Sequence, residues 1–237
     1  MKRADDDLLL KPKRLRYFKR KKAIFIPCDS RRKTIFNYLK KINKKEINLG
    51  FGRLFFLKDK IVAFQAVGAS AAILLLEPLL ASGTTKIIVL GFCGSLNPAY
   101  KSLGAVIINK ALSEEGTSSH YFPSRRFFHS SPFLIREIEQ NLIKKNLPFK
   151  LGTIVSTDAP YRETKSWLAA KQKNKIDLVD METSAVLALS EFYGVQAAAL
   201  MIISDELFSK KWKHKFTSLR LDKKIKEYFI PFIQSEN

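Results

Sequence analysis

Two carboxylates stand where acid side chains can do chemistry. Glu182 lies in Asp180-Met181-Glu182-Thr183-Ser184-Ala185, at the head of a helical pattern over residues 181–193 that Gly194 closes. Asp205 follows Ser204 at the end of the apolar run 197–203, the place where a buried strand delivers side chains to a ligand. Such a pair suits cleavage of a glycosidic bond to a nitrogen base. As that bond lengthens, positive charge grows on the sugar and negative charge on the base, so an acceptor beside one and a proton donor beside the other both lower the barrier. Glu182 would accept from two ribose hydroxyls, and Asp205 would protonate a purine ring nitrogen. Each also has a plainer reading, Glu182 as a first-turn acid against the helix macrodipole and Asp205 as a helix cap.

The elements that must position these residues read as an α/β chain, because apolar β-rich runs alternate with helical patterns from Ala23 onward. Residues 23–26 form a first buried strand, ended by Pro27 and followed by the polar turn Cys28-Asp29-Ser30 into a helix. A strand over 61–67 leads through Gly68 to a helix over 71–81 that contains Pro78 and stops at Gly83. Residues 86–90 form a strand buried on both faces, and Gly91-Phe92-Cys93-Gly94 then predicts a tight turn with exposed N–H groups. Strands at 105–109, 151–155 and 197–203 and a helix at 132–145 complete the pattern. Asp180 or Asp177 caps the helix at 181–193. The expected fold is a three-layer α/β/α domain with a central mixed sheet over residues 23–237, preceded by a basic extension at 1–22.

In this setting Val179-Asp180-Met181-Glu182-Thr183-Ser184-Ala185, a helix, and Ile203-Ser204-Asp205 resemble the nucleoside phosphorylase superfamily. Purine nucleoside phosphorylases, uridine phosphorylases and methylthioadenosine/adenosylhomocysteine nucleosidases belong to it. Gly68, Gly91-Phe92-Cys93-Gly94, Glu115-Gly116-Thr117-Ser118-Ser119-His120-Tyr121 and Val155-Ser156-Thr157-Asp158-Ala159 fall in the same order, so the resemblance spans about residues 23–208. It implies ribose binding by Met181 and Glu182 and protonation of a purine by Asp205. Base contacts from Phe92, Pro160, Tyr161 and Ser204 are implied too, with Pro160 at the usual aromatic position and core packing an equal reading for Phe92.

The attacking group is less fully written. Phosphate beside the anomeric carbon needs arginines and backbone N–H groups, and the resemblance implies Arg32 and Gly68 for that role. Cys28 stands at a usual glycine, Val89 at a usual arginine and Phe92 at a usual hydroxyl residue. Phosphorolysis of a purine nucleoside, hydrolysis on the same scaffold, and a decayed member that binds through its basic arm are therefore all open. Inorganic phosphate is the one co-substrate expected, with no cofactor.

Composition narrows the classes. Two cysteines without CxxC or Cys/His spacing suggest neither a disulfide framework nor a zinc site, and a cytoplasmic protein is expected. The apolar run Leu8-Leu9-Leu10 is too short for a signal peptide, and no stretch reads as a membrane span. The net charge of +20 is spread along the chain as a solvated lysine surface. Residues 11–22 differ, with eight of twelve Lys or Arg, so this arm either packs on the body or meets an acidic partner, and nucleic acid is expected only through it. The resemblance further implies a homo-oligomer with sites at subunit interfaces.

Overall fold

The computed structural model describes residues 8–15, 21–43, 45–208 and 212–234. The N-terminal half contains β1 (Lys22–Ile26), α1 (Thr34–Ile42), β2 (Glu46–Asn48), β3 (Arg53–Phe56), β4 (Lys60–Phe64), α2 (Ala69–Ala81), β5 (Lys86–Ser95) and β6 (Ala105–Glu114). Next come α3 (Ser118–Tyr121), β7 (Phe127–His129), α4 (Pro132–Lys144), β8 (Lys150–Thr157), a single 3-10 turn (Pro160–Arg162) and α5 (Lys165–Lys173). The chain closes with β9 (Leu178–Asp180), α6 (Thr183–Phe192), β10 (Gln196–Glu206), β11 (Lys213–His214), α7 (Leu219–Tyr228) and α8 (Ile230–Ile233).

The strands form one mixed sheet in the order β11-β10-β6-β8-β9-β5-β1-β4-β3-β2, in which β10 also pairs with β5. That extra pairing closes β5, β10, β6, β8 and β9 into a ring, so the sheet is a barrel at one end and open at the other. Alternation along each buried strand feeds two cores, as a period of two requires. Ile87 and Val89 of β5 pack in one cluster with Leu76 and Leu79 of α2 and Ala188 and Leu189 of α6. Ile88 and Leu90 pack in the other with Leu39 of α1, Ile138 of α4 and Ile225 of α7. Helices thus cover both faces of the sheet, giving the expected three layers.

The turn expected at residues 91–94 is instead strand. β5 runs through it to Ser95, because its glycines relieve crowding between strands and do not reverse the chain. A Cβ on Gly91 would stand 2.9 Å from Met201 Sδ, and one on Gly94 would stand 2.5 Å from Leu207 Cδ1. The strand expected to reach Val67 stops at Phe64, where Gln65 turns with φ 60°. The helix expected from Met181 begins at Thr183. Within the basic extension, residues 1–7 and 16–20 lie outside the described residues. Leu15 packs against the core, and its N–H donates to Ser82 Oγ at 2.8 Å.

Candidate active site

The register of the barrel brings the two chosen carboxylates to one rim. Gly94 of β5 is the Cα partner of Asp205 on β10 and also of Val179 on β9. Asp205 and the turn that follows β9, which carries Met181 and Glu182, therefore flank the end of β5 from opposite sides.

Glu182 is buried, and its Oε1 accepts the N–H of Gly68 at 2.5 Å. Gly68 has φ 91° and heads α2, so its amide points outward from a helix N-terminus at the carboxylate. Burial, reinforced by the neighbouring Asp180, pushes Glu182 up to about 8. Met181, half-buried, precedes it.

The turn is held by buried hydroxyls drawn from separate motifs. Asp180 accepts from Ser156 Oγ at 2.5 Å and from the Thr183 N–H at 2.9 Å. Ser156 Oγ in turn accepts the Ser184 N–H at 2.9 Å, and Ser184 Oγ donates to Glu115 Oε1 at 2.9 Å. Glu115 also accepts from Ser113 Oγ at 2.8 Å, from Ser118 Oγ, and from the Thr117 N–H at 2.6 Å. Burial opposes its charge, but these donors outweigh burial and hold it below the ordinary carboxylate value. Three motifs that stand far apart in sequence thus have one physical task, which is to fix the backbone that presents Glu182.

On the other side, Asp205 is buried with each oxygen engaged. Ser204 Oγ lies 2.7 Å from Oδ1, and Trp212 Nε1 donates to Oδ2 at 2.9 Å. Asp205 lines a cavity of about 340 Å³ with Pro160, Tyr161, Glu163, Trp167, Leu207 and Trp212 among its walls. Pro160 and Tyr161 therefore reach the same cavity, although Tyr161 is 100% exposed. Phe92 is not among the cavity walls. It packs against Phe229, with ring centroids 5.9 Å apart. Glu163 and Trp212 are additions that motif reading did not supply. Burial, then the charge of Asp205, pushes Glu163 up to about 7. Trp212-x-His214-x-Phe216 places three aromatic rings at strand spacing after Asp205, and that alternation was the available signal for Trp212.

The side expected to meet phosphate is arranged differently. Arg32 Nη1 donates to Asp222 Oδ2 at 3.1 Å and to the Thr217 carbonyl at 3.0 Å, so both bonds tie it to the start of α7 and neither goes to Glu182 or Gly68. Asp222 also accepts from Ser30 Oγ at 2.6 Å and Thr34 Oγ1 at 2.7 Å. Asp29 accepts three backbone N–H groups, from Ser30, Ile35 and Phe36, which occupies it in starting α1. Burial, with Glu182, Asp29 and Asp180 adding to it, pushes the Cys28 thiol up to about 12. Val89 is fully buried in the core.

The sequence and the fold have known counterparts. The family profile described as the phosphorylase superfamily matches residues 22–227. Uncharacterized protein R802 of Acanthamoeba polyphaga mimivirus is 31% identical over 160 residues, 66% of this chain and 62% of its own length. A DeoD-type purine nucleoside phosphorylase of Brevibacillus brevis is 28% identical over 156 residues, 64% of this chain and 66% of its own. The chain thus spans slightly under two thirds of these curated relatives. Among solved structures, purine nucleoside phosphorylase from Toxoplasma gondii in complex with immucillin-H superposes with a TM-score of 0.74 at 18% identity, covering 88% of this chain and 87% of the other. A futalosine hydrolase mutant of Helicobacter pylori does so with a TM-score of 0.72 at 21% identity, covering 90% and 97%. At these identities the structures speak for a shared fold. Because the family profile accounts for most of its length, the chain belongs to the phosphorylase superfamily.

Proposed function

We propose that the chain cleaves the N-glycosidic bond of a purine nucleoside and passes the ribosyl group to phosphate. The carrying observation is the register at Gly94, which sets Asp205 and the Glu182 turn on either side of β5. Two strand spacings amount to about 10 Å, the span over which one nucleoside can meet both groups. Glu182 and Met181 take the ribose, Glu182 by accepting from its hydroxyls while the Gly68 amide holds the carboxyl in place. Asp205, paired with Ser204, gives a proton to the purine as negative charge builds on it. Pro160 and Tyr161 line the base side, and Phe92 contributes only from behind, through packing.

Phosphate is assigned to Arg32 and the α2 N-terminus at Gly68. The Arg32 side chain of the Arg32–Asp222 pair is 48% exposed, so its guanidinium is open to a phosphate from the solvent side, while Asp222 keeps Ser30 and Thr34 as donors. Water as the acceptor is a second reading, favoured by the carboxyls of Asp29, Asp180 and Glu182 around Cys28 and by Val89 in the core. The products separate the two. Phosphorolysis requires phosphate and yields a sugar 1-phosphate, whereas base release at an unchanged rate without phosphate establishes hydrolysis. The same reading makes the protein a cytoplasmic homo-oligomer acting on small nucleosides. No helix among the described residues is long and apolar enough to cross a membrane.

A further inference from the structure

We infer that Trp212 belongs to the base site, where its indole N–H positions Asp205 and its ring covers one face of the departing base. The inference rests on the proposed glycosidic cleavage. After Glu206 the chain returns to the site. β11 pairs antiparallel with the end of β10, with Asp205 opposite His214, and the Lys215 N–H donates to the Ser204 carbonyl at 2.7 Å. This return sets Trp212 over the cavity that Asp205, Glu163 and Trp167 also line. The ring of His214 lies 4.9 Å from that of Trp212 between centroids, bracing it from the strand side.

Trp212 has one polar atom, and that atom is already spent on Asp205 Oδ2. The side chain is otherwise apolar, yet 63% exposed. A flat heterocycle in the adjoining cavity is the ligand such a surface suits, because every purine has a π-face to offer it. The indole N–H can only donate, so Oδ2 must act as an acceptor. Ser204 Oγ lies 2.7 Å from Asp205 Oδ1 and 3.2 Å from the Cys93 carbonyl, and its single hydrogen can serve one of them at a time. Trp212 thereby fixes Oδ2 while Ser204 fixes Oδ1, so the carboxyl is held from both sides.

The test compares wild type, Trp212→Phe and Trp212→Ala by steady-state release of base from purine nucleosides, and titrates adenine and hypoxanthine against tryptophan fluorescence. Trp212→Phe keeps a ring and loses the N–H, so kcat should fall about tenfold with KM little changed. Trp212→Ala should lower kcat similarly and raise KM about tenfold. Free base should quench wild-type fluorescence saturably, and Trp212→Phe should lose most of that signal. Unchanged kinetics in both variants, or a quench that survives Trp212→Phe in full, would overturn the assignment. A wild type that releases no base while its quench depends on Trp212 rejects the glycosidic reading and supports Trp212 as a base contact.

Discussion

In the proposed reading Glu182 joins two demands that conflict in the folded protein. It must lie where it can grip a sugar, which buries it, and it must share that space with Asp180, which adds a second carboxyl. The native state therefore keeps the Glu182 proton up to about 8, whereas the unfolded chain gives it up near the ordinary value of 4.5. Between those values the native state binds more protons, so the stabilising effect of the neutral form is complete below the lower value and is lost as pH rises through the upper one. The unfolding free energy from urea titrations should fall between pH 5 and pH 8.5, by an amount on the order of a few kcal/mol at most. Glu182→Gln should remove much of that slope, with a remainder from Asp180, whose burial raises it in the same sense. An unaltered slope in the variant would show that Glu182 does not carry the linkage. Both acids proposed for the site can be singled out in the sequence because residue type and strand or helix position together restrict what they can do. Glu163 was not, since its place opposite Asp205 depends on how the segment after β8 folds back.

At the scale of elements, β5 and its glycines decide how closely the site is assembled. A tight turn at residues 91–94 is what glycine pairs suggest in a sequence, but a missing Cβ serves equally for close packing across a ladder, and sequence does not separate the two uses. At Gly94 a Cβ would come within 2.5 Å of Leu207 Cδ1, 3.1 Å of Val179 Cγ1 and 3.3 Å of Asp205 Oδ2. Gly94→Ala should therefore cost about 1–3 kcal/mol through overpacking and displace the Asp205 carboxyl. Thermal denaturation and base release, measured where the variant is still folded, should both decline. Full activity in a destabilised variant would mean that Asp205 tolerates the shift. The long buried strands and α2, α4 and α6 were readable from their apolar pattern, whereas β9 and β11, at three and two residues, carry too little pattern to announce themselves. Their positions come from pairing with β5, β8 and β10.

At the scale of the whole molecule, the open end of the sheet leaves Phe51, Val67 and Leu74 exposed near the Gly68 side of the site. The tip before β3 rests on α2, where a Cβ on Gly52 would meet Leu75 Cδ2 at 3.0 Å. Apolar surface gathered there fits the proposed homo-oligomer. Sedimentation should give a mass above that of one chain, and the double change Phe51→Lys with Leu74→Lys should shift it toward the monomer. A monomeric wild type would remove the subunit-interface account. Membership in the superfamily was visible from the order of motifs, whereas the acceptor was not, because Arg32 in a sequence does not reveal whether Asp222 or phosphate holds it. Chromatography of free base shows whether Asp205 serves a leaving purine in glycosidic cleavage. Wild type and Asp205→Ala are incubated with purine and pyrimidine nucleosides, with and without phosphate. Wild type should release purine, and the variant should lose at least roughly 100-fold in rate, the scale of general acid catalysis. Full activity in Asp205→Ala, or no purine released by wild type under either condition, would contradict it.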